Sequence, residues 1–383
     1  MPWRNISMFE ARKNFILESR NKHKNLTFRD LCDKYNISTK TGYKWLHRHQ
    51  ERGEEGLKDL PRTPFSCPTK ITENVKKCVI SIREQFPTWG PKKIRAEMIN
   101  NFAYFPPPSE GSIGNILQEN NLTQPRNFRR HVAQTAPLAK CQSPNDTWMY
   151  DFKGWFMTGN GAKCEPLTVT DGFSRYLIEC KHMPRKQGID VWNILERAFL
   201  EYGLPTKIRS DNGPPFASLG LGRLSALAIK LIKVGITPEW IEPGCPEQNG
   251  RHERFHLTLK KETAMPPATS ILLQQEKFNQ FKKYYNERRP HEALNQVTPS
   301  SIYVPSQNIW NGKFKSPEYS EEYEVRKVGK SGNIGWKGQT FFLSEMLYKE
   351  HVGIKEINMG LMGVYYGPIL LGKINLNKGF KRL

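Results

Sequence analysis

The chain is short of acids, of paired cysteines and of long apolar runs. Its 383 residues hold 37 Asp and Glu against 58 Lys and Arg, a net charge of +21. An excess of that size argues for a polyanionic partner, and nucleic acid is the ordinary case. The seven cysteines (Cys32, Cys67, Cys78, Cys141, Cys164, Cys180, Cys245) are odd in number, and no two form a C-x-x-C pair. Such spacing argues against a zinc site and a disulfide framework, leaving the reduced thiols of a cytosolic protein. No apolar run reaches the length of a bilayer span, and Met1-Pro-Trp-Arg-Asn-Ile-Ser7 has no apolar signal core. The expectation is a soluble, cytoplasmic protein that contacts no membrane.

The basic excess is uneven. Residues 1–135 carry 24 Lys and Arg against 13 Asp and Glu, which is +11 of the +21 in about a third of the length. At 383 residues the chain also exceeds one compact core, so two to four domains are expected.

Residues 1–60 read as a helix-turn-helix DNA-binding domain. Thr27-Phe-Arg-Asp30 forms a capping box ahead of Leu31, and Asn36-Ile-Ser38 is a turn. Ser38 then caps a basic helix running to Arg48. The second helix of such a motif enters the major groove, which leaves Lys40, Thr41, Tyr43, Lys44 and Arg48 for bases and phosphates and Ile37, Trp45 and Leu46 for the core. After a Pro-rich linker at 60–68, residues 68–123 read as a second helical DNA-binding module, winged-helix-like, with helices over 71–86, 90–98 and 111–120. Residues 124–146, with Arg126, Arg129, Arg130 and His131, form a basic linker.

From Thr147 the period changes. Strand-like runs at 147–152, 166–170, 175–183, 207–210 and 239–242 alternate with helical runs at 186–202, 219–234, 249–264 and 272–288. Three strands followed by alternating helices and strands is the order of an α/β ribonuclease-H-like sheet, here at 147–309. Residues 310–383 break into short apolar runs between glycines and read as a small all-β barrel.

The chemistry centres on Cys245-Pro-Glu-Gln-Asn-Gly-Arg-His-Glu-Arg254. A helix beginning near Asn249 places Glu253 and Lys260 two turns apart, on one face. Asp151 ends one strand-like run; Asp211 ends another and is followed by Asn212-Gly213-Pro214-Pro215. Three carboxylates brought together suit Mg2+, a hard cation held by oxygen ligands and substrate phosphate. They are expected to converge within about one metal-pair span, roughly 3.5–4 Å, splaying where no cation offsets their repulsion. Asp171, before Gly172, reads as a turn acid rather than a fourth ligand, and His252 and His256, flanking Glu253, as packing or surface residues.

These stretches resemble the insertion-sequence transposases of the retroviral-integrase (DDE, integrase catalytic core) superfamily. The resemblance runs through Tyr150-Asp-Phe-Lys-Gly-Trp-Phe156, Leu167-Thr-Val-Thr-Asp-Gly-Phe-Ser-Arg-Tyr176, Ser210-Asp-Asn-Gly-Pro-Pro-Phe216, Gln248-Asn-Gly-Arg-His-Glu-Arg254 and Tyr285-Asn-Glu-Arg-Arg-Pro-His-Glu-Ala-Leu294. It implies a polynucleotidyl transferase with catalytic, metal-binding Asp151, Asp211 and Glu253, two Mg2+ ions (Mn2+ as a substitute) and Lys260 on DNA. Asp151 would bridge both ions, with Asp211 and Glu253 each holding one. The implied partners are double-stranded DNA, as element ends and target, and further copies of the chain assembled on it, in a bacterial nucleoid. Glu247 competes for the third position, but it follows Pro246 in a loop and lacks a basic residue two turns on, so Glu253 is preferred. Two other functions share much of this sequence: a non-catalytic DNA-binding regulator derived from a transposase, and a nuclease that cuts without joining.

Overall fold

A computed structural model describes residues 7–21, 27–60, 70–123, 141–242, 245, 248, 250–358, 360–375 and 379–382. The basic linker arginines Arg126, Arg129 and Arg130, and Glu247 and Asn249, lie outside these residues. The chain divides into two compact units, Met1–Lys70 and Ile71–Leu383.

The first unit holds α1 (Met8–Arg20), α2 (Phe28–Lys34) and α3 (Thr39–Arg52). Each start is fixed by its sequence. Ser7 with Glu10, and Thr27 with Asp30, form reciprocal capping boxes, and Ser38 accepts the Thr41 backbone N–H at 3.2 Å. Phe15, Ile16, Leu31, Cys32, Trp45 and Leu57 form the core, with Ile37 and Leu46 packed against it. Gly42 is where α3 crosses its neighbours: a Cβ there would stand 2.7 Å from Cys32 Sγ and 3.0 Å from the Phe28 ring.

The second unit opens with α4 (Glu73–Gln85), α5 (Pro91–Asn101) and α6 (Glu110–Glu119), folded around Trp89, Ile94 and Met98. Among the described residues of 70–123 no strand accompanies them, so the wing of a winged helix has no counterpart there.

The central sheet follows: β1 (Thr147–Phe152), a short hairpin of β2 (Phe156–Met157) and β3 (Lys163–Cys164), β4 (Pro166–Asp171), β5 (Leu177–His182), β6 (Lys207–Ser210) and β7 (Thr237–Trp240). The five-stranded order is β5-β4-β1-β6-β7, antiparallel up to β1 and parallel beyond it. Helices α7 (Gly188–Tyr202) and α8 (Ala226–Lys233) make the crossovers, and α9 (Gly250–Thr263) and α10 (Ile271–Glu287) complete the domain.

Strand alternation sorts the two faces. Trp148, Tyr150, Leu167, Val169 and Ile178 face α7 and α8 in one core. On the other face Leu177 and Cys180 meet Phe255 and Leu259 of α9 and Phe278, Phe281 and Tyr285 of α10. Several boundaries differ from the sequence expectation. The run from Leu219 is not helical until Ala226, because Gly222 takes φ +57° in a short 3-10 turn. The last strand begins two residues early, at Thr237, where it pairs with Lys207.

The C-terminal strands are β8 (Glu324–Lys327), β9 (Asn333–Trp336), β10 (Gln339–Phe342), β11 (His351–Asn358), β12 (Leu361–Tyr366), β13 (Ile369–Asn375) and β14 (Gly379–Arg382). Five form an antiparallel sheet, β14-β13-β12-β11-β8, and the β9–β10 hairpin lies against both of its edges, so the ring is nearly closed. Its core, with Trp336, Val352, Tyr366 and Leu371, continues into Leu221, Leu224, Ala228 and Ile232, and Lys233 pairs with Glu350 at 2.8 Å. The barrel is therefore seated on the outer face of α8.

Candidate functional site

Asp151 and Asp211 are brought together by strand register. Parallel β1 and β6 pair Thr147 with Lys207 and Met149 with Arg209. Two residues beyond that last pair stand Asp151, within β1, and Asp211, directly after the end of β6, so both lie at the same end of the sheet. Met149 and Asp151 share the face opposite Trp148 and Tyr150, which is the face that α9 covers.

The loop after β6 folds back over this edge. Asp211 Oδ1 accepts the Gly213 backbone N–H at 3.1 Å, Asn212 donates to the Ile241 carbonyl at 2.8 Å, and Phe216 stacks on Phe152 and meets Tyr150 edge-on. Burial pushes the Tyr150 phenol well above its ordinary value; a hydrogen bond to Ser210 works against the shift and the nearby charge of Asp211 adds to it.

Helix α9 is seated by an arrangement that sequence reasoning did not find. Antiparallel β4 sets Thr168 directly across from Asp151, and the Thr168 hydroxyl donates to the Asp151 carbonyl at 3.1 Å. The same hydroxyl meets His252 Nε2 at 2.7 Å and His256 Nε2 at 2.8 Å. Burial holds both imidazoles neutral, down to about 3 for His252 and about 2 for His256, where the charges of His252 and Lys153 add a little. The available signal was Thr168 and Thr170, two hydroxyls alternating through an otherwise apolar buried strand.

The buried positions of α9 are His252, Phe255, Leu259 and Thr263, at the spacing of one helical stripe. Glu253 in the first turn and Lys260 two turns on are both exposed and share the adjacent flank. That flank looks toward the end of β1: Lys153 is lowered chiefly by burial and next by the charge of Lys260. Asp171 is a structural acid. It is 1% exposed and accepts from the Asn145 N–H, the Ser174 N–H and the Ser174 hydroxyl.

The donor set fits Mg2+, being three carboxylates of which two stand at the same end of neighbouring parallel strands. The expected convergence of all three is not found: among the described residues no group of three His, Cys, Asp or Glu is gathered closely enough to hold a cation.

On α3, Lys40, Tyr43 and Lys44 are exposed and Arg48 is half-buried. Thr41 is partly occupied by its contact with the Ser38 hydroxyl at 2.9 Å. Arg12, Lys44 and Arg48 surround the Trp45 ring, with centroid distances of 3.9, 5.0 and 5.2 Å. Among the described residues no helix is long and apolar enough to cross a membrane.

Integrase core domain models match residues 142–246 and 234–299, and homeodomain-like domain models match 11–58 and 41–117. A protein of insertion element IS476 from Xanthomonas euvesicatoria is 26% identical over 258 residues, covering 66% of this chain and 72% of the relative. A protein of insertion element IS407 from Burkholderia multivorans is 29% identical over 196 residues, covering 49% and 66%. The chain thus spans just under two thirds of the second relative. Looser likenesses join it to a chain of a simian T-cell lymphotropic virus intasome in complex with PP2A regulatory subunit B56 gamma (TM-score 0.39, 15% identity, 79% of this chain and 98% of that one). They extend to the HTLV-2 integrase catalytic core domain (TM-score 0.32, 17% identity, 42% and 98%). Residues 142–299 are thus similar to integrase core domains and residues 11–117 to homeodomain-like domains, and the chain resembles proteins of bacterial insertion elements.

Proposed function

We propose that this protein is a transposase that binds the ends of its element, cuts a DNA strand there and joins the new end to target DNA. The observation that carries the reading is that Asp151 in β1 and Asp211, directly after the neighbouring parallel β6, lie at one end of the sheet, where Thr168 opposite Asp151 meets the helix that bears Glu253. Asp151, Asp211 and Glu253 would together hold two Mg2+ ions. The ions, Mg2+ or Mn2+, supply activation of the attacking oxygen and relief of charge on the leaving one.

The chain's own residues supply position. The Asp211 carboxylate is oriented by the Gly213 N–H, and the neutral His252 and His256 pair fixes the rotation of α9 over Asp151. That rotation sends Glu253 and Lys260 to one flank, where the ammonium of Lys260 steers a phosphate backbone past the carboxylates. Helix α3 reads the element end through Lys40, Thr41, Tyr43, Lys44 and Arg48, and the net charge of +21 draws in DNA of any sequence. On its substrate the protein works as an assembly of several copies.

The test is incubation of the purified chain with duplex DNA bearing the element's terminal sequence, a second duplex as target, and Mg2+. Cutting followed by joining is the expected result. Cutting without joining would make the protein a nuclease, and binding with neither would make it a regulator.

A further inference from the structure

A second positively charged place lies away from the carboxylates, where α4–α6 meet α9 and α10. The contact is extensive. Trp89 Nε1 donates to the Tyr284 hydroxyl at 2.6 Å, Thr88 donates to Glu262, and Arg288 pairs with Glu97, an acid only 1% exposed, at 2.8 Å. The acids paired across this seam are Glu262, with Thr88 and Arg289, Glu97, with Arg288, and Glu292, with Lys92, while Glu110 of α6 bears on the charge of Lys92.

What remains is cationic. The Lys93 side chain, in the first turn of α5, makes no hydrogen bond or ion pair among the described residues, and burial followed by the charge of Arg289 brings its ammonium down to about 7. Exposed Arg254 of α9 lies close enough to bear on the charge of Glu292, the residue that Lys92 pairs. The ring atom Nε2 of His291, beside Lys93 and Arg289, is buried without a partner. Named by charge, the seam holds Lys92, Lys93, Arg254, Arg288 and Arg289 against Glu97, Glu262 and Glu292. An unpaired, largely buried ammonium disfavours the seam as it stands, and an anion beside it removes that cost. The positive end of α5 acts in the same direction.

We infer that this seam is a phosphate-binding site, with Lys93 and Arg254 as its ligands and a phosphodiester of duplex DNA as its occupant. DNA as the source of the phosphate rests on the function proposed above. The site would hold a strand on the side of α9 away from Glu253 and Lys260. It would also tie the α4–α6 module and the catalytic helix to one DNA backbone.

The experiment measures affinity of the full-length protein for random-sequence duplex at several salt concentrations, with thermal melting in parallel. Lys93→Met and Arg254→Gln are each expected to weaken binding and to make the slope of log K against log salt shallower by about 0.9, one phosphate's worth. Lys313→Gln, at an exposed lysine elsewhere on the second unit, should leave both unchanged. Lys93→Met should melt no lower than the unaltered protein, because it removes an unpaired buried charge rather than a structural bond. Unchanged slopes in both variants, or a lower melting temperature for Lys93→Met, would overturn the inference. So would stabilisation by inorganic phosphate that needs Lys93 while duplex binding does not, since the occupant would then be a free anion. An unaltered protein that bound no duplex would remove the proposed function itself, a different result from variants that bind as well as their parent.

Discussion

Asp151 on β1 faces Thr168 across the antiparallel pair with β4, and Asp211 follows directly on the end of β6, the strand on the other side of β1. One hydroxyl of Thr168 therefore sits between a proposed metal ligand and the helix that carries another, touching His252 and His256 as well as the Asp151 carbonyl.

Thr168→Val keeps the shape of that hydroxyl's site and removes its hydrogen bonds. Two buried imidazoles lose a partner, so a loss of about 1–3 kcal/mol in unfolding free energy is expected from denaturant titration. Strand cleavage should fall further than stability alone explains, because α9 loses the contact that sets its rotation. Wild-type stability in the Val variant would show that the histidines are held by packing alone.

The same histidines give the protein an acid limit. Their folded-state values lie far below the ordinary 6.5, at about 3 and about 2, so the unfolded chain binds protons that the folded chain refuses. Stability is then fully present above about pH 6.5 and falls as the pH drops from there toward 3, by up to about 1.4 kcal/mol per unit for each histidine. Thermal melting followed from pH 7 to 4.5 should show the decline, and His256→Asn should reduce it. An unchanged decline in that variant would assign the loss to carboxylates instead.

Much of this was legible in the sequence. Ser38, Thr27 and Asp30 marked the helix starts in the first unit because side-chain caps act locally. Asp151, Asp211 and Glu253 were legible as strand-end and helix-start acids. The Thr168 seat was not, since it joins residues more than 80 positions apart through a strand register that no local pattern encodes. The helix expected from Leu219 failed for a local reason, the two glycines at 220 and 222, and for a distant one. A Cβ at Gly222 would meet Leu371 of the C-terminal barrel at 2.9 Å. The β2–β3 hairpin, two residues a strand, is too short to show any period.

The ion pair of Glu97 with Arg288 bears on how α4–α6 attach. Glu97 is buried and its partner is about 40% exposed, so Glu97→Gln should cost less than a fully buried pair, about 1–3 kcal/mol. Limited proteolysis should then degrade α4–α6 sooner than in the parent. Equal resistance in the two proteins would mean that the remaining contacts, Trp89–Tyr284, Thr88–Glu262 and Lys92–Glu292, hold the module without this pair.

The central claim is that Asp151, Asp211 and Glu253 act together as the metal-holding carboxylates. It is tested most directly by comparing Asp151→Asn, Asp211→Asn, Glu253→Gln and Glu247→Gln in one strand-cleavage assay with Mg2+, alongside binding to the same terminal duplex. The account predicts that the first three lose cleavage and joining by at least about a thousandfold while duplex affinity stays within about threefold, because Mg2+ requires charged oxygens and DNA reading lies on other elements. Glu247→Gln should cut as the parent does. An active Glu253→Gln beside a dead Glu247→Gln would contradict the account.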